Sequence, residues 1–523
     1  MKSEKKKEYW LLLDKGAVVE AEYKPAELPK FRGYPYIEAL PLINTKEQAI
    51  ELLQRYPEYN DEMRSLPPHL LSQQVMDLLH FFQPLPIHLK LERMVSRMIR
   101  EGYLYRNPID PEYAGTLKER LEVFRNRKSF KQTNVPTATG FSMPGISGMG
   151  KSTGMREVLQ TYPQVIIHSK YQERDFFNNQ VVWLKLECPK SGGSIKALCL
   201  SFFEAFDDLL DTTYSEDYGK EGQNTEELMQ SMAIVASMHG LGVLVLDEIQ
   251  NLSAAKSGGA EEMLNFFVQL VNTIGLPVVL IGTFKAIPIL SESFRQARRG
   301  SGQGDLVWDR MSFDDDWHLF IETMWDFQYV AKKCPLTQEI SRALHEVSYG
   351  ITDLAVRIYM AAQWRAIETG LEEMTEDLIR SAYRDDFRLI NRIFELLKSG
   401  DIKALPEIQD LVPPAIIPIE AKQRGRSNAT TSQGQSDSLL YFPSATAANS
   451  GESANMPQSN DDNINNVGTT KRRGRPKSKT NPEAYEEGDL RGIVAHGWTE
   501  DPQLNPYQSL LKHGIIRSTA EFA

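Results

Sequence analysis

Gly145-Ile146-Ser147-Gly148-Met149-Gly150-Lys151-Ser152 fits G-x-x-x-x-G-K-[ST] with every fixed position present. A short apolar-leaning run ending near Met143 precedes it. Helix-favouring residues follow, from Lys151 to about Tyr162. The octet therefore sits between a strand and a helix, which is where a phosphate-binding loop works. Gly145, Gly148 and Gly150 let the backbone curl so that successive N–H groups face an anion. The helix N-terminus adds partial positive charge behind the phosphates. On this reading Lys151 reaches the β- and γ-phosphates of ATP, and the Ser152 hydroxyl holds Mg²⁺. Met149 and Thr153 complete the loop's share of the nucleotide site. The plain alternative, a chance Gly-rich turn, does not explain the strand–helix setting.

A phosphate loop needs a second strand that carries a carboxylate. Val243-Leu244-Val245-Leu246-Asp247-Glu248 supplies it. Its four apolar residues read as a strand buried on both faces. Asp247 emerges at the C-terminal edge, where open α/β sheets bind ligands, and is assigned to the Mg²⁺ shell. Glu248, one residue on, is placed to polarise an attacking water as a general base. An ordinary acidic turn is the bland reading of this pair. Pro277-Val278-Val279-Leu280-Ile281 is a further apolar strand, and Thr283 ends it. Thr283 is expected beside the phosphate loop, facing the γ-phosphate or the water; its plain alternative is a helix N-cap. Arg298 and Arg299 precede a Gly-rich break, a placement suited to delivering a guanidinium to a neighbouring subunit's phosphate. A solvated helix end is equally easy to write. Thr352 or Asp353 is expected to cap a helix that aims Arg357 back at the nucleotide.

Composition bounds the rest. With 523 residues, two or three folded units are expected. Apolar content of 41% and charged content of 25% are globular values, and a net charge of −11 argues against a uniformly basic DNA-coating protein. The three cysteines form no C-x-x-C pair, so no disulfide framework or zinc site is suggested, as suits a reducing cytosol. No apolar run reaches membrane-span length, and the N-terminal apolar stretch is too short for a signal peptide core.

Taken in order, residues 1–75 form an N-terminal arm rich in proline and aromatics. It reads either as a docking arm or as a strap across the next domain. Residues 76–314 hold the nucleotide-binding core, beginning with a helical pattern from Val75 to Tyr105; the nucleotide domain proper starts near Thr137. Strands are expected at Gln164–His168 and Val181–Leu186, and helices at Ser194–Leu210, Glu226–Met238 and Glu261–Ile274. Strands alternating with helices imply an α/β fold: a mostly parallel sheet covered by helices on both faces. Residues 315–413 read as a small all-helical lid. Residues 414–480 are a disordered linker whose stretch 427–470 has few apolar side chains and no Lys or Arg. It ends in a basic cluster, Lys471–Lys479, whose Arg473-Gly474-Arg475-Pro476 resembles the core of an AT-hook that enters the minor groove. A solubilising patch is the even alternative. Residues 481–523 are an apolar tail on this tether, a partner-binding hook. Lys190, Ser194 and Lys196 frame a short basic Gly/Ser loop, the candidate for phosphate contacts with duplex DNA.

The phosphate loop, Asp-Glu strand end, polar strand tip, arginines and helical lid together resemble the AAA+ ATPases. Within them the chain resembles the TnsC regulator ATPases of Tn-seven-like transposons and, more distantly, the TniB proteins. The residues that carry this include Tyr36-Ile37-Glu38-Ala39-Leu40-Pro41, Phe82-Gln83-Pro84-Leu85, Arg106-Asn107-Pro108, Asp247-Glu248-Ile249-Gln250, Glu262–Val268 and Ala297-Arg298-Arg299-Gly300. The likeness runs from about residue 34 to 400 and returns at Asp489-Leu490-Arg491 and Gly514-Ile515-Ile516. It implies a cytoplasmic, prokaryotic Mg²⁺-dependent ATPase that assembles on duplex DNA as a ring or filament. It further implies a target selector of TniQ/TnsD type, recruitment of TnsA/TnsB-type transposase subunits, and no membrane. The N-terminal arm is then expected to dock the selector and the tail to bind the transposase. The long linker is not shared by every member. Two rival readings are a metabolic P-loop kinase and a nucleotide-gated signalling scaffold. The kinase has no use for Glu248 or the trailing arginines.

Overall fold

The computed structural model describes residues 11–12, 15–111, 113, 140–190, 194–219, 224–254, 265–267, 270–287, 304–371 and 373–390. Arg298, Arg299, Arg473 and Arg475, and the linker and tail expected over 414–523, lie outside them, as do residues 261–264 and 268–269 of the helix expected at Glu261–Ile274.

The strands are β1 (Leu11–Leu12), β2 (Val18–Glu20), β3 (Phe141–Pro144), β4 (Val165–Tyr171), β5 (Arg174–Val181), β6 (Trp183–Glu187), β7 (Val243–Asp247) and β8 (Val278–Gly282). The helices that matter to the site are α1 (Pro86–Leu104), α2 (Lys151–Gln160), α3 (Ile195–Leu210), α4 (Thr225–Met238), α5 (Asp315–Trp325), α6 (Gln338–Ser348), α7 (Thr352–Thr369) and α8 (Glu376–Asp386). The main sheet has the order β1-β6-β7-β8-β3. Its four core strands are parallel, and only β1 joins antiparallel, at the β6 edge. Beyond β3 the chain returns alongside the sheet. Leu306 and Trp308 donate their N–H groups to the carbonyls of Ser142 and Pro144 at 3.0 and 2.9 Å.

Alternation along each strand divides the side chains between two cores. Phe141, Met143, Trp183, Val243, Val245, Val279 and Ile281 face α1 and α2. Leu184, Leu186, Leu244, Leu246, Val278 and Leu280 face α3 and α4. All are essentially buried, and each such side chain contributes roughly 1.5–3 kcal/mol through burial. This is why the strands read as continuous apolar runs: both faces are covered, as expected for a parallel sheet between helices.

The helical unit after Asp314 contains no strand among its described residues. Asp314, Thr337 and Thr375 cap α5, α6 and α8 by accepting backbone N–H groups through their side chains. Leu344, Ile358, Ala362, Ile379 and Ala382 close its interior.

One strand expectation shifts. The stretch Val181–Leu186 is not one strand. Val181 ends β5, Val182 breaks the run, and β6 begins at Trp183. The chain changes sheets there, because β5 pairs antiparallel with β4 in a second sheet of order β2-β4-β5. The hairpin turn places Gln172 and Glu173 at φ +47° and +62°, without the glycine or asparagine that announces such turns. In the N-terminal arm, β1 extends the main sheet, β2 the second one, and Tyr36 packs against Tyr103 at 5.3 Å between ring centroids. Among the described residues no helix is long and apolar enough to cross a membrane.

Candidate nucleotide site

The phosphate loop lies where β3 hands the chain to α2. Gly148 and Gly150 adopt φ +80°, the left-handed region where a side chain is strained. Gly145 is needed for a different reason. A Cβ there would lie 2.2 Å from the Trp308 carbonyl oxygen. Lys151 is buried, and its ammonium donates to the carbonyls of Gly145 and Ile146 at 3.1 and 2.7 Å. Phosphate oxygens would take over those bonds. Ser152 and Thr153 are half-buried in the first turn of α2.

Strand parity puts the second half of the site on the same face as α2. Trp183, Lys185 and Glu187 alternate on β6, and Glu187 pairs in register with Asp247. Asp247 is buried. One of its oxygens accepts the Glu248 N–H at 2.9 Å, and the other lies 3.6 Å from the Lys185 ammonium. Glu248 is half-buried at φ +58°. Its burial, followed by the Asp247 and Glu187 carboxylates, pushes its carboxyl above the usual range. The Gln250 amide donates to Glu248 and, through its oxygen, accepts the Thr283 N–H at 3.0 Å.

Thr283 does occupy the N-cap position of the turn Phe284–Ala286, but its side chain makes no capping bond. Its hydroxyl is buried without a hydrogen-bond partner. An orphaned hydroxyl at the tip of β8 is what a group reserved for a ligand oxygen looks like. The donor chemistry of Ser152 and Asp247, a hydroxyl and a carboxylate, fits Mg²⁺, which takes few protein ligands and keeps waters or phosphate oxygens.

A cleft of about 320 Å³ adjoins the loop. Met149, Gly150 and Thr153 form one wall, and Phe82, Gln83, Leu85 and His88 another; Trp308 and α7 close it. The volume, and the apolar and aromatic side chains within a mixed lining that also carries Asp309, Arg310 and Asp314, suit a purine nucleoside. His88 packs edge-on against Phe82 and Trp308, with centroids at 4.7 and 5.2 Å.

The helical unit docks directly on the loop. Gly148's carbonyl accepts the Asp353 N–H at 3.1 Å and the Thr352 hydroxyl at 3.3 Å. Neither residue is the cap expected from the sequence. Ile351 is the N-cap of α7 and makes no side-chain capping bond. Arg357, expected to face the nucleotide, is placed elsewhere. It forks onto Asp353 at 2.8 Å and lines a separate groove with Met76, Leu79 and Trp364. A carboxylate one helical turn back, at i,i+4, holds it there.

Of the expected DNA contacts, Lys190 and Ser194 are exposed and Lys196 is half-buried. Ser194 serves as the N-cap of α3, accepting the Ala197 N–H at 3.1 Å. Sequence reading gave no site role to Lys185, to Gln250 or to the Phe82–His88 wall of the cleft. A lysine inside the strand Trp183-Leu184-Lys185-Leu186 was the signal for the first; Gln250 and Phe82-Gln83-Pro84-Leu85 stood out only as residues of the family resemblance.

Residues 139–290 match the family model described as an AAA domain. The chain thus carries an AAA-type P-loop ATPase domain, over less than a third of its length. Among curated proteins none matches the sequence. Solved structures with similarity include a Walker-type ATPase of Pyrococcus abyssi, at 14% identity and TM-score 0.33, covering 57% of this chain and 77% of that one. The Orc1 protein of Aeropyrum pernix, solved in complex with DNA, gives 15% identity and TM-score 0.35 over 57% of this chain and 73% of that one. The RuvB branch-migration motor of Thermotoga maritima gives 14% and 0.29 over 53% and 69%. Likeness at that level bears on neither function nor partners.

Proposed function

We propose that this chain is an ATP-dependent regulator of DNA transposition of the TnsC type. It assembles on target duplex DNA, receives the site from a TniQ/TnsD-type selector, and recruits and activates TnsA/TnsB-type transposase subunits. The observation that carries the reading is Glu248, set just past the buried Asp247 and tethered by Gln250, within the Asp247-Glu248-Ile249-Gln250 run that resembles that family. A carboxylate there serves an enzyme whose acceptor is water, which a metabolic kinase is not.

In this reading Lys151 and the loop amides bind the phosphates, while Ser152 and Asp247 hold Mg²⁺. That ion, when bound by Ser152 and Asp247, would supply charge neutralisation to the phosphates. Glu248 orients and deprotonates the attacking water, and the Thr283 hydroxyl steadies the γ-phosphate or that water. Arg298 or Arg299 completes the site of a neighbouring subunit. Lys190, Ser194 and Lys196 face DNA phosphates, with Arg473 and Arg475 in the minor groove. Arg357 would have to leave Asp353 to reach the nucleotide. The N-terminal arm docks the selector, the tail binds the transposase, and the setting is the prokaryotic cytoplasm.

ATPase activity with and without duplex DNA is the test, read beside electron microscopy with a slowly hydrolysed ATP analogue. DNA-stimulated turnover and rings or filaments on DNA are expected. Turnover indifferent to DNA would sink the transposition reading.

A further inference from the structure

Lys185 is the cation that β6 inserts into the site, and no part of the ATPase reading uses it. Its side chain is only 3% exposed and that of Asp247 4%. The ammonium lies 3.6 Å from Asp247 and donates to the Ser152 carbonyl at 3.3 Å. One buried group therefore touches both residues assigned to the metal. A buried carboxylate without a counter-charge is costly, and so is a buried ammonium. The Lys185–Asp247 pair offsets part of both penalties at once. It also ties the first turn of α2 to the end of β7.

We propose that Lys185 is a resident counter-cation of the metal site. It neutralises Asp247 whenever no divalent ion is bound, and it opposes the entry of one. The inference rests on the assignment of Ser152 and Asp247 to Mg²⁺. A divalent ion held by those two residues would share the buried surroundings of the ammonium, where like charges would repel with little solvent screening. Lys185 thereby sets the metal concentration at which the nucleotide is held. It lets the apo protein keep an acidic residue in its core without needing a metal to fold. Its role is positioning and electrostatic, with no contact to the reacting atoms required.

The experiment titrates Mg²⁺ into the full-length protein with a fluorescent ATP analogue and reads binding, not turnover. Lys185→Met should lower the metal concentration at half-saturation about tenfold, through loss of the repelling charge. Nucleotide-free, metal-free melting should fall in Lys185→Met, because Asp247 is left buried and unpaired. Melting should recover in Lys185→Met/Asp247→Asn, where neither charge remains. Lys185→Gln keeps a donor without the charge and should shift the metal titration like Lys185→Met, which covers the case in which Lys185→Met does not fold. A half-saturation within twofold of wild type in both single variants overturns the inference. Binding by the wild type that ignores both Mg²⁺ and a chelator would instead overturn the metal assignment of Ser152 and Asp247.

Discussion

Gln250 accepts the Thr283 backbone N–H at 3.0 Å through its side-chain oxygen, while the same amide donates to the Glu248 carboxylate. One side chain thus fixes the candidate base relative to the tip of β8. Gln250→Ala removes both contacts and leaves Glu248 free to rotate. We expect kcat for ATP to fall about tenfold with KM within about twofold, the pattern of a lost orientation rather than lost ground-state binding. Gln250→Glu should do worse, by setting a like charge beside Glu248. Steady-state kinetics decide it, and an unchanged kcat in Gln250→Ala would show the fork to be incidental.

Lys151 and Glu248 should separate binding from chemistry. Lys151→Ala deletes the ammonium that now bonds Gly145 and Ile146. It should abolish ATP binding, since phosphate charge is left uncompensated in a partly desolvated loop. Glu248→Gln keeps the shape and the left-handed backbone but not the basicity. It should bind ATP normally, lose at least about a hundredfold in turnover, and trap the DNA-bound assembly. Normal turnover in Glu248→Gln would refute its assignment as base.

Gly145 offers a steric test. A Cβ there meets the Trp308 oxygen at 2.2 Å and the Trp308 Cβ at 2.6 Å. Gly145→Ala must push residues 305–308 away from β3 or distort the loop. Overpacking of this kind costs about 1–3 kcal/mol. A lower melting temperature with weakened nucleotide binding is expected. A variant as stable as wild type would show that the edge segment gives way freely.

Much of this site was legible because its chemistry dictates local patterns. The glycines of the loop, the apolar run into Asp247 and the strand ending at Thr283 each announce themselves in a few consecutive residues. What was not legible depends on pairing across distance. Lys185 gains meaning only when β6 lies beside β7, and Gln250 only when β8 brings Thr283 to it. The β4–β5 hairpin was hidden because Arg174–Val181 is polar and turns through Gln172 and Glu173. The pairing of Arg357 with Asp353, one turn back, was readable as an i,i+4 spacing, but which way the pair faces depends on how the helix docks.

The arginine assignment is open to a mixing experiment. Subunits carrying Glu248→Gln and subunits carrying Arg298→Ala with Arg299→Ala should each be inactive alone. If the arginines act on a neighbour's phosphate, mixtures should regain part of the activity at interfaces that pair an intact Glu248 with intact arginines. Absence of any recovery across mixing ratios would rule out action in trans.

Acid stability should be set by three buried histidines whose tautomers are fixed. His239 Nδ1 faces the Asn179 carbonyl at 3.2 Å, so it must donate, and Nε2 then accepts the Tyr214 hydroxyl at 2.8 Å. His168 Nε2 donates to the Gln180 side-chain oxygen at 2.9 Å and Nδ1 accepts the Tyr23 hydroxyl at 2.7 Å. His88 Nδ1 accepts the Leu85 N–H at 2.9 Å. Each ring is held neutral, and a second proton would cost it an acceptor as well as bury a charge. Burial accordingly lowers His239 and His168 to about 4 and His88 to about 3. In the unfolded chain they titrate near 6.5. Between those values the unfolded state binds protons that the folded state refuses. Stability is therefore intact above about pH 6.5 and falls as pH drops, by up to about 1.4 kcal/mol per pH unit for each histidine. Urea denaturation at a series of pH values from 7 to 5 should show this slope. His239→Gln, which can still donate to Asn179 and accept from Tyr214 but does not titrate, should remove about a third of it. An unaltered slope in that variant would assign the acid sensitivity to carboxylates instead.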